Sequence, residues 1–319
     1  MTTTSRRPVA RLSSPGDVVA TVPALCGFVP QDSVVLLSLR GPRRRLGLTV
    51  RLDLPPPGHV DAVAAALAAH VVQDGGAAAA VVVYATEPQP EVAAAVAAAL
   101  GGRGVAVAES LHVTGDRWTS YLCSGPCCPP TGTPVPAMPA LVAAEHALEG
   151  RAVLGSRADL VASLAPPADG AYRALVRRAR QQWRGADPAA SRVLVRTALE
   201  AAASGGCVDG TTAAQVAVVL HDVPVRDEVL RWALDDADAL LSLSEQVARL
   251  VGPPHDAPVC TVLAWTAYAR GDGARANVAL ERALRGDPGY RLALLLQAAL
   301  DDAVPPAELR RTLRAAARR

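Results

Sequence analysis

Apolar positions in this chain follow two regimes, and the change falls near Pro139. Before it, the period alternates between helix and strand; after it, only the helical period remains. Ser14-Pro15-Gly16-Asp17 opens the first helix. Ser14 is placed to cap, Pro15 suits the first helical position, and Asp17 takes the place of the capping-box acid. The helix is expected to run to Cys26 and to end at Gly27, with Pro23 predicting a kink or an early stop. Two apolar runs follow, Ser33–Leu39 and Leu46–Leu54, split by Gly41-Pro42 and three arginines, and they predict a hairpin. In the second run Leu46, Leu48, Val50, Leu52 and Leu54 alternate onto one face, with Thr49, Arg51 and Asp53 on the other.

His59–Asp74 is a predicted helix, with Val63, Leu67 and His70 or Val71 along one stripe. Ala77–Thr86 is a continuous apolar run and predicts a buried strand. Glu91–Leu100 predicts a helix closed by Gly101-Gly102, and Val105–Val113 a further strand. Arg117–Leu122 is expected to pair with that strand across Thr114-Gly115-Asp116. The alternation predicts an α/β domain, a mixed sheet flanked by helices, with at least one parallel crossover.

Beyond Pro139 helices are predicted at 140–148, 157–164, 171–183, 189–203, 212–220, 226–233, 239–251 and onward. Ala165–Gly170, rich in Pro and Ala, has the composition of a linker. It places an α/β domain over 1–165 and an all-α domain over 170–319. Within the second, Trp265, Tyr268, Gly271-Asp272, Ala276, Leu280, Ala283, Leu284 and Asp287-Pro288 look tetratricopeptide-like, with Gly271, Ala276 and Ala283 expected where two helices touch. A generic helical hairpin fits the same residues, and Tyr290–Leu300 is the start of any next unit.

Composition narrows the chemistry. The 319 residues contain no lysine and no isoleucine, one asparagine (Asn277) and one phenylalanine (Phe28), a bias that a GC-rich genome explains. Without lysine there is no Schiff-base or lysine nucleophile and no phosphate loop of the G-x-x-x-x-G-K-[ST] type. No G-x-G-x-x-G leads from a strand into a helix, no G-x-S-x-G elbow is present, and the six histidines form no metal-binding pair motif. A net charge of +2, with arginines clustered at 43–45, 177–184 and 310–319 and a single aromatic, Trp183, among them, disfavours nucleic acid as a partner. Arg6 and Arg7 precede no signal-like apolar core, and no run of eighteen apolar residues exists, so no membrane association and a cytoplasmic location are expected.

The candidate site is Arg117–Gly132, RWTSYLCSGPCCPPTG, which gathers three of the six cysteines, one of four tryptophans and one of five tyrosines. Three readings stand side by side. Cys123, Cys127 and Cys128 could bind zinc, with His112 or Cys26 as fourth ligand, although adjacent cysteines are expected to diverge. One could be a reactive thiolate, with Arg117 as its cation and His112 as its base. Or all three could fill a tight turn against Trp118 and Tyr121, as the usual burial of free cysteine favours. Arg51 and Asp53 are expected to pair with each other or with Arg117.

Leu12-Ser13-Ser14-Pro15-Gly16-Asp17, Gly27-Phe28-x-Pro30-x-Asp32-Ser33, Arg51-x-Asp53-Leu54-Pro55, and Arg117-Trp118 through Tyr121-x-Cys123, Cys127-Cys128-Pro129 and Gly132 occur here in that order. Together they resemble the actinobacterial domain-of-unknown-function family 4192. The resemblance covers the first half most closely and implies a cytoplasmic protein of a GC-rich bacterium, with no activity attached. The expected function is a binding, regulatory or scaffold protein with a protein partner on its helical domain. The alternative is a hydrolase or a thiol- or metal-dependent enzyme centred on Cys123–Cys128, with Arg51, Asp53 and Arg117 as polar wall. No cofactor other than zinc is suggested.

Overall fold

The computed structural model describes residues 10–148 and 150–316; Arg6, Arg7, Arg318 and Arg319 lie outside them. The chain divides into two compact units, 1–157 and 158–319. Among the described residues of the first unit, six strands form one sheet in the order β2-β1-β3-β4-β5-β6. These are β1 (Ser33–Arg40), β2 (Arg45–Asp53), β3 (Gly76–Tyr84), β4 (Ala106–Thr114), β5 (Arg117–Ser120) and β6 (Thr133–Pro134). Only β3 and β4 run parallel, joined through helix α3 (Pro90–Gly101); the other neighbours are antiparallel, so the sheet is mixed as expected.

Strand alternation sends the two sides of β1 and β3 to different cores. Val34, Leu36, Val81 and Val83 meet Leu67 and Val71 of α2 (Val60–Gln73) and Val92, Val96 and Leu100 of α3. On the other side lies α1 (Pro15–Cys26). Its capping box is complete: the Ser14 hydroxyl accepts from the Asp17 N–H at 3.1 Å, and the Asp17 carboxylate accepts from the Ser14 N–H at 3.1 Å. As expected, α1 runs to Cys26 and is capped by Gly27; the early stop that Pro23 made an alternative does not occur. Proline at 23 has no N–H to give the carbonyl four residues back, that of Val19. The Tyr84 hydroxyl stands 3.5 Å from that oxygen and donates to it. A bond from the sheet thus stands where the helix lacks one.

The second unit is all helix among its described residues. It begins with α5 (Arg157–Ser163), after α4 (Ala140–Leu148) at the end of the first unit. The stretch read as a linker, Ala165–Gly170, lies inside this unit. A Cβ on Gly252 would come within 2.7 Å of Pro166 Cγ and 2.9 Å of the Tyr172 hydroxyl, and that hydroxyl donates to the Pro253 carbonyl at 2.9 Å.

The centre of the unit is α11 (Ala257–Ala269), every residue of which is buried. It packs on α12 (Gly273–Gly286) through Ala276, Leu280 and Ala283, all fully buried. Gly271 is different from the expected contact residue. Its φ of +83° lies in the left-handed region and a Cβ there would meet nothing within 4 Å, so it serves the turn and not the packing. From α12, Arg282 reaches into the core. Its Nε donates to Asp256 at 2.7 Å, its Nη2 to the Ala248 and Val251 carbonyls at 2.8 and 2.6 Å, and its Nη1 to the Leu164 carbonyl. One guanidinium thus ties the ends of α5 and α10 (Ala237–Leu250) to α12, with a wholly buried carboxylate as counter-charge. No helix among the described residues is long and apolar enough to cross a membrane.

Candidate functional site: a three-thiol loop at the sheet edge

The cysteine loop leaves the sheet at the end of β5 and returns as β6. Its base is closed by strand pairing, Arg117 opposite Pro134 and Trp118 opposite Thr133. Two further bonds tie its first residue: the Tyr121 N–H donates to the Ser110 carbonyl at 2.8 Å, and the Tyr121 hydroxyl oxygen accepts from the Gln89 N–H at 2.8 Å. Arg117 clamps the returning limb, with Nε on the Thr131 carbonyl at 2.8 Å and Nη2 on the Gly132 carbonyl at 2.6 Å. Gly132 has a φ of +76°, and a Cβ on it would stand 3.2 Å from both Arg117 Cβ and the Trp118 carbonyl. No other residue fits there without displacing the strand.

Inside this frame two tight turns follow one another. The Cys128 N–H donates to the Gly125 carbonyl at 2.9 Å, and the Gly132 N–H to the Pro129 carbonyl at 2.8 Å. Pro126, Pro129 and Pro130 restrict the backbone between them. The first turn gathers the thiols. Cys123 Sγ and Cys127 Sγ are 3.5 Å apart, and the three sulfurs all lie within 4.8 Å of one another. Cys127 and Cys128 therefore converge on Cys123 within this turn, against the expectation for adjacent side chains. The Gly125 N–H points at Cys123 Sγ from 3.5 Å. That amide, then the Cys127 and Cys128 thiols, hold Cys123 below the usual thiol range. Cys128, bonded to Cys123 and partly desolvated, is pushed up to about 11. The arrangement is a sulfur, Cys123 Sγ, that faces the Gly125 amide and two neighbouring thiols. Three such sulfurs could hold a metal ion.

Several expected partners are elsewhere. The thiols are not sealed under Trp118: Cys127 is exposed and Cys123 and Cys128 are half-buried. Trp118 is buried on the α1 side, where a Cβ on Gly16 would stand 3.5 Å from its indole nitrogen and 3.1 Å from Pro136. His112 is buried with Nε2 2.9 Å from the Ala85 carbonyl, and its ring centroid lies 6.2 Å from that of Tyr121. Cys26 is buried in α1, and burial pushes its thiol up to about 12 although Arg51 pulls it down. Neither joins the thiol cluster, and among the described residues no histidine or carboxylate does. Arg117 bonds loop carbonyls; the Cys123 thiol is lowered by Gly125 and the neighbouring thiols instead.

Arg51 and Asp53 form a separate cluster. The Arg51 Nη2 is 2.6 Å from Asp53, its Nε donates to the Ser33 hydroxyl at 2.9 Å and its Nη2 to the Gln31 carbonyl at 3.3 Å. The guanidinium lies 5.8 Å from the Phe28 ring centroid, and the Leu54 N–H donates to the Asp32 carbonyl at 2.8 Å. The motif residues Phe28, Asp32, Ser33, Arg51, Asp53 and Leu54 thus share one corner of the sheet. That corner is not a wall of the thiol loop. β2 and β5 are four strands apart in the sheet order, roughly 19 Å at the usual strand spacing. The sequence had no way to single out the Gly125 amide, whose N–H points at Cys123 Sγ.

The family model described as domain of unknown function (DUF4192) matches residues 15–307. The chain belongs to that family. No curated protein and no solved structure matches it.

Proposed function

Within that family, we propose that this chain is a cytoplasmic binding or regulatory protein. It holds a soft, thiol-seeking ligand at Cys123, Cys127 and Cys128 and engages a protein partner through its helical unit. The observation that carries this reading is the convergence of three accessible thiols on a braced loop, with no acid–base partner in the cluster among the described residues. A hydrolase needs a base within hydrogen-bond reach of its nucleophile. His112, the nearest candidate by sequence, faces the Ala85 carbonyl. The helical contribution is supported by the tightly packed α11–α12 pair and by Leu294 and Leu295, exposed on α13 (Arg291–Asp301). A tetratricopeptide-like pair with an unburied apolar neighbour is a surface suited to a peptide.

A thiol enzyme is the second reading, and the lowered Cys123 thiol favours it. The test is timed alkylation of the native full chain, read by peptide mass. Binding through the loop predicts rapid labelling at Cys123, Cys127 and Cys128 in chelator-treated protein, and none at buried Cys26 and Cys260. Labelling of the loop no faster than Cys26 would end the proposal. Turnover of a thioester or disulfide substrate, lost in Cys123→Ser, would move the assignment to the enzyme.

A further inference from the structure

Building on the loop as a ligand site, we propose that Cys123, Cys127 and Cys128 bind one zinc-class divalent ion as three thiolates. The fourth coordination position is left to an exogenous soft donor, a low-molecular-weight thiol.

The donor set matches the metal. Zinc–thiolate bonds of about 2.3 Å put tetrahedral sulfurs about 3.8 Å apart. The loop holds Cys123 and Cys127 sulfurs at 3.5 Å and all three within 4.8 Å. Small rotations within the turn suffice to close the set. The frame that holds them is two successive turns, three prolines and the Arg117 side-chain clamp. The Gly125 N–H on Cys123 is the outer hydrogen bond that stabilises a coordinating thiolate and fixes its direction.

The open position follows from what surrounds the cluster. Structural zinc sites close with four protein ligands, whereas exchanging sites keep three. His112 and Cys26, the fourth ligands the sequence suggested, are both buried, and among the described residues no fourth ligand joins the three sulfurs. The outward position beside exposed Cys127 faces solvent. Binding releases three protons, one from each thiol, and leaves an ion carrying three thiolates and a water, with one net negative charge. An incoming thiol loses its proton and displaces that water. A softer ligand than water is favoured there because the ion's other donors are all sulfur. Exchange of the fourth ligand is the chemistry proposed for the site.

The full chain is purified without chelator under a phosphine reductant, and its metal is measured per chain. About one zinc is expected, and less than a tenth of that in the Cys123→Ser/Cys127→Ser/Cys128→Ser variant. Cys26→Ala is expected to retain its zinc. Because the triple variant could lose fold, the wild-type apoprotein is also titrated with Co(II). A tetrahedral visible spectrum with thiolate charge transfer is expected at one equivalent. Added N-acetylcysteine is expected to shift its d–d bands.

Cobalt bands that ignore the added thiol overturn the open position, and zinc retained by a folded triple variant overturns the site. Wild-type protein without metal, and with rapidly alkylated loop thiols, overturns the metal while the loop survives as a thiol site. Metal-free protein with slow alkylation removes both.

Discussion

Two arginines in this protein do the same job in opposite surroundings. Arg117, at the edge of the α/β unit, holds the Thr131 and Gly132 carbonyls of a surface loop. Arg282, in the helical unit, holds the Leu164, Ala248 and Val251 carbonyls in the core, with Asp256 as its counter-charge. Water can replace the first set of bonds and cannot reach the second. The two units' thiols contrast in the same way. Cys260, fully buried near Asp256 on α11, is pushed up to about 12, burial being the main cause. Cys123, on a surface turn, is lowered by an amide and two neighbours. The same side chain is buried filling at Cys260 and an accessible thiol at Cys123; burial and hydrogen-bond donors make the difference.

The helical clamp includes α5, so where the unit is cut matters most. A fragment 158–319 is expected to melt cooperatively. A fragment 170–319 loses Leu160 and Leu164, both buried, and the Leu164 carbonyl that Arg282 holds. About 3–6 kcal/mol should go with those two side chains. Equal melting of the two fragments, read by circular dichroism, would detach α5 from the core.

Within the intact chain, Arg282→Ala leaves Asp256 buried without its partner. A loss of about 3–5 kcal/mol is expected in denaturant unfolding. An effect under 1 kcal/mol would make the buried clamp no stronger than a surface one. Arg117→Ala should cost about 1–2 kcal/mol, discounted because the guanidinium is partly exposed. Its more specific signature is faster exchange of the Gly132 amide and a changed alkylation rate at Cys127, measured by hydrogen exchange and timed labelling. Unchanged rates would separate Arg117 from the posture of the thiols.

The smallest effect is at the Arg40–Asp74 pair, a clamp of intermediate burial beside β2. Burial pushes the Asp74 carboxyl up, but the Arg40 guanidinium and the Leu48 N–H pull it further down, so it ends below the ordinary range. A lowered carboxyl contributes stability in full above its unfolded pKa of about 3.9 and loses it as pH falls through the folded value. Melting curves between pH 6 and pH 2 should therefore converge for wild type and Asp74→Asn at the acid end. A gap that persists at pH 2 would assign the loss to shape rather than charge.

Much of the fold was legible because its signals are local. Ser14, Pro15 and Asp17 cap a helix by spacing alone, and Val81-Val82-Val83-Tyr84 has the composition of a buried strand. Ala276 and Ala283 marked the α12 contact by size and period. The cysteine loop was legible as a crowding of rare residues. Its geometry was not, since whether Cys127 and Cys128 converge depends on the Cys128-to-Gly125 turn and on Arg117 closing the far limb.

The chain's own order of residues marked most of the helices, strands β1 to β5, a parallel crossover and the stretch that carries the thiols, but not β6. Tertiary structure alone decided four things. Tyr84 donates to Val19, whose carbonyl Pro23 has no N–H to meet. Arg282 reaches back across the sequence to Leu164, so the helical unit begins before the presumed linker. His112 faces Ala85, so it is lost to the loop, and the position of β2 in the sheet removes Arg51 and Asp53 from it. Period and capping act over a few residues and can be read from spacing. A hydrogen bond between distant residues depends on how the whole backbone closes, and no local pattern encodes that closure.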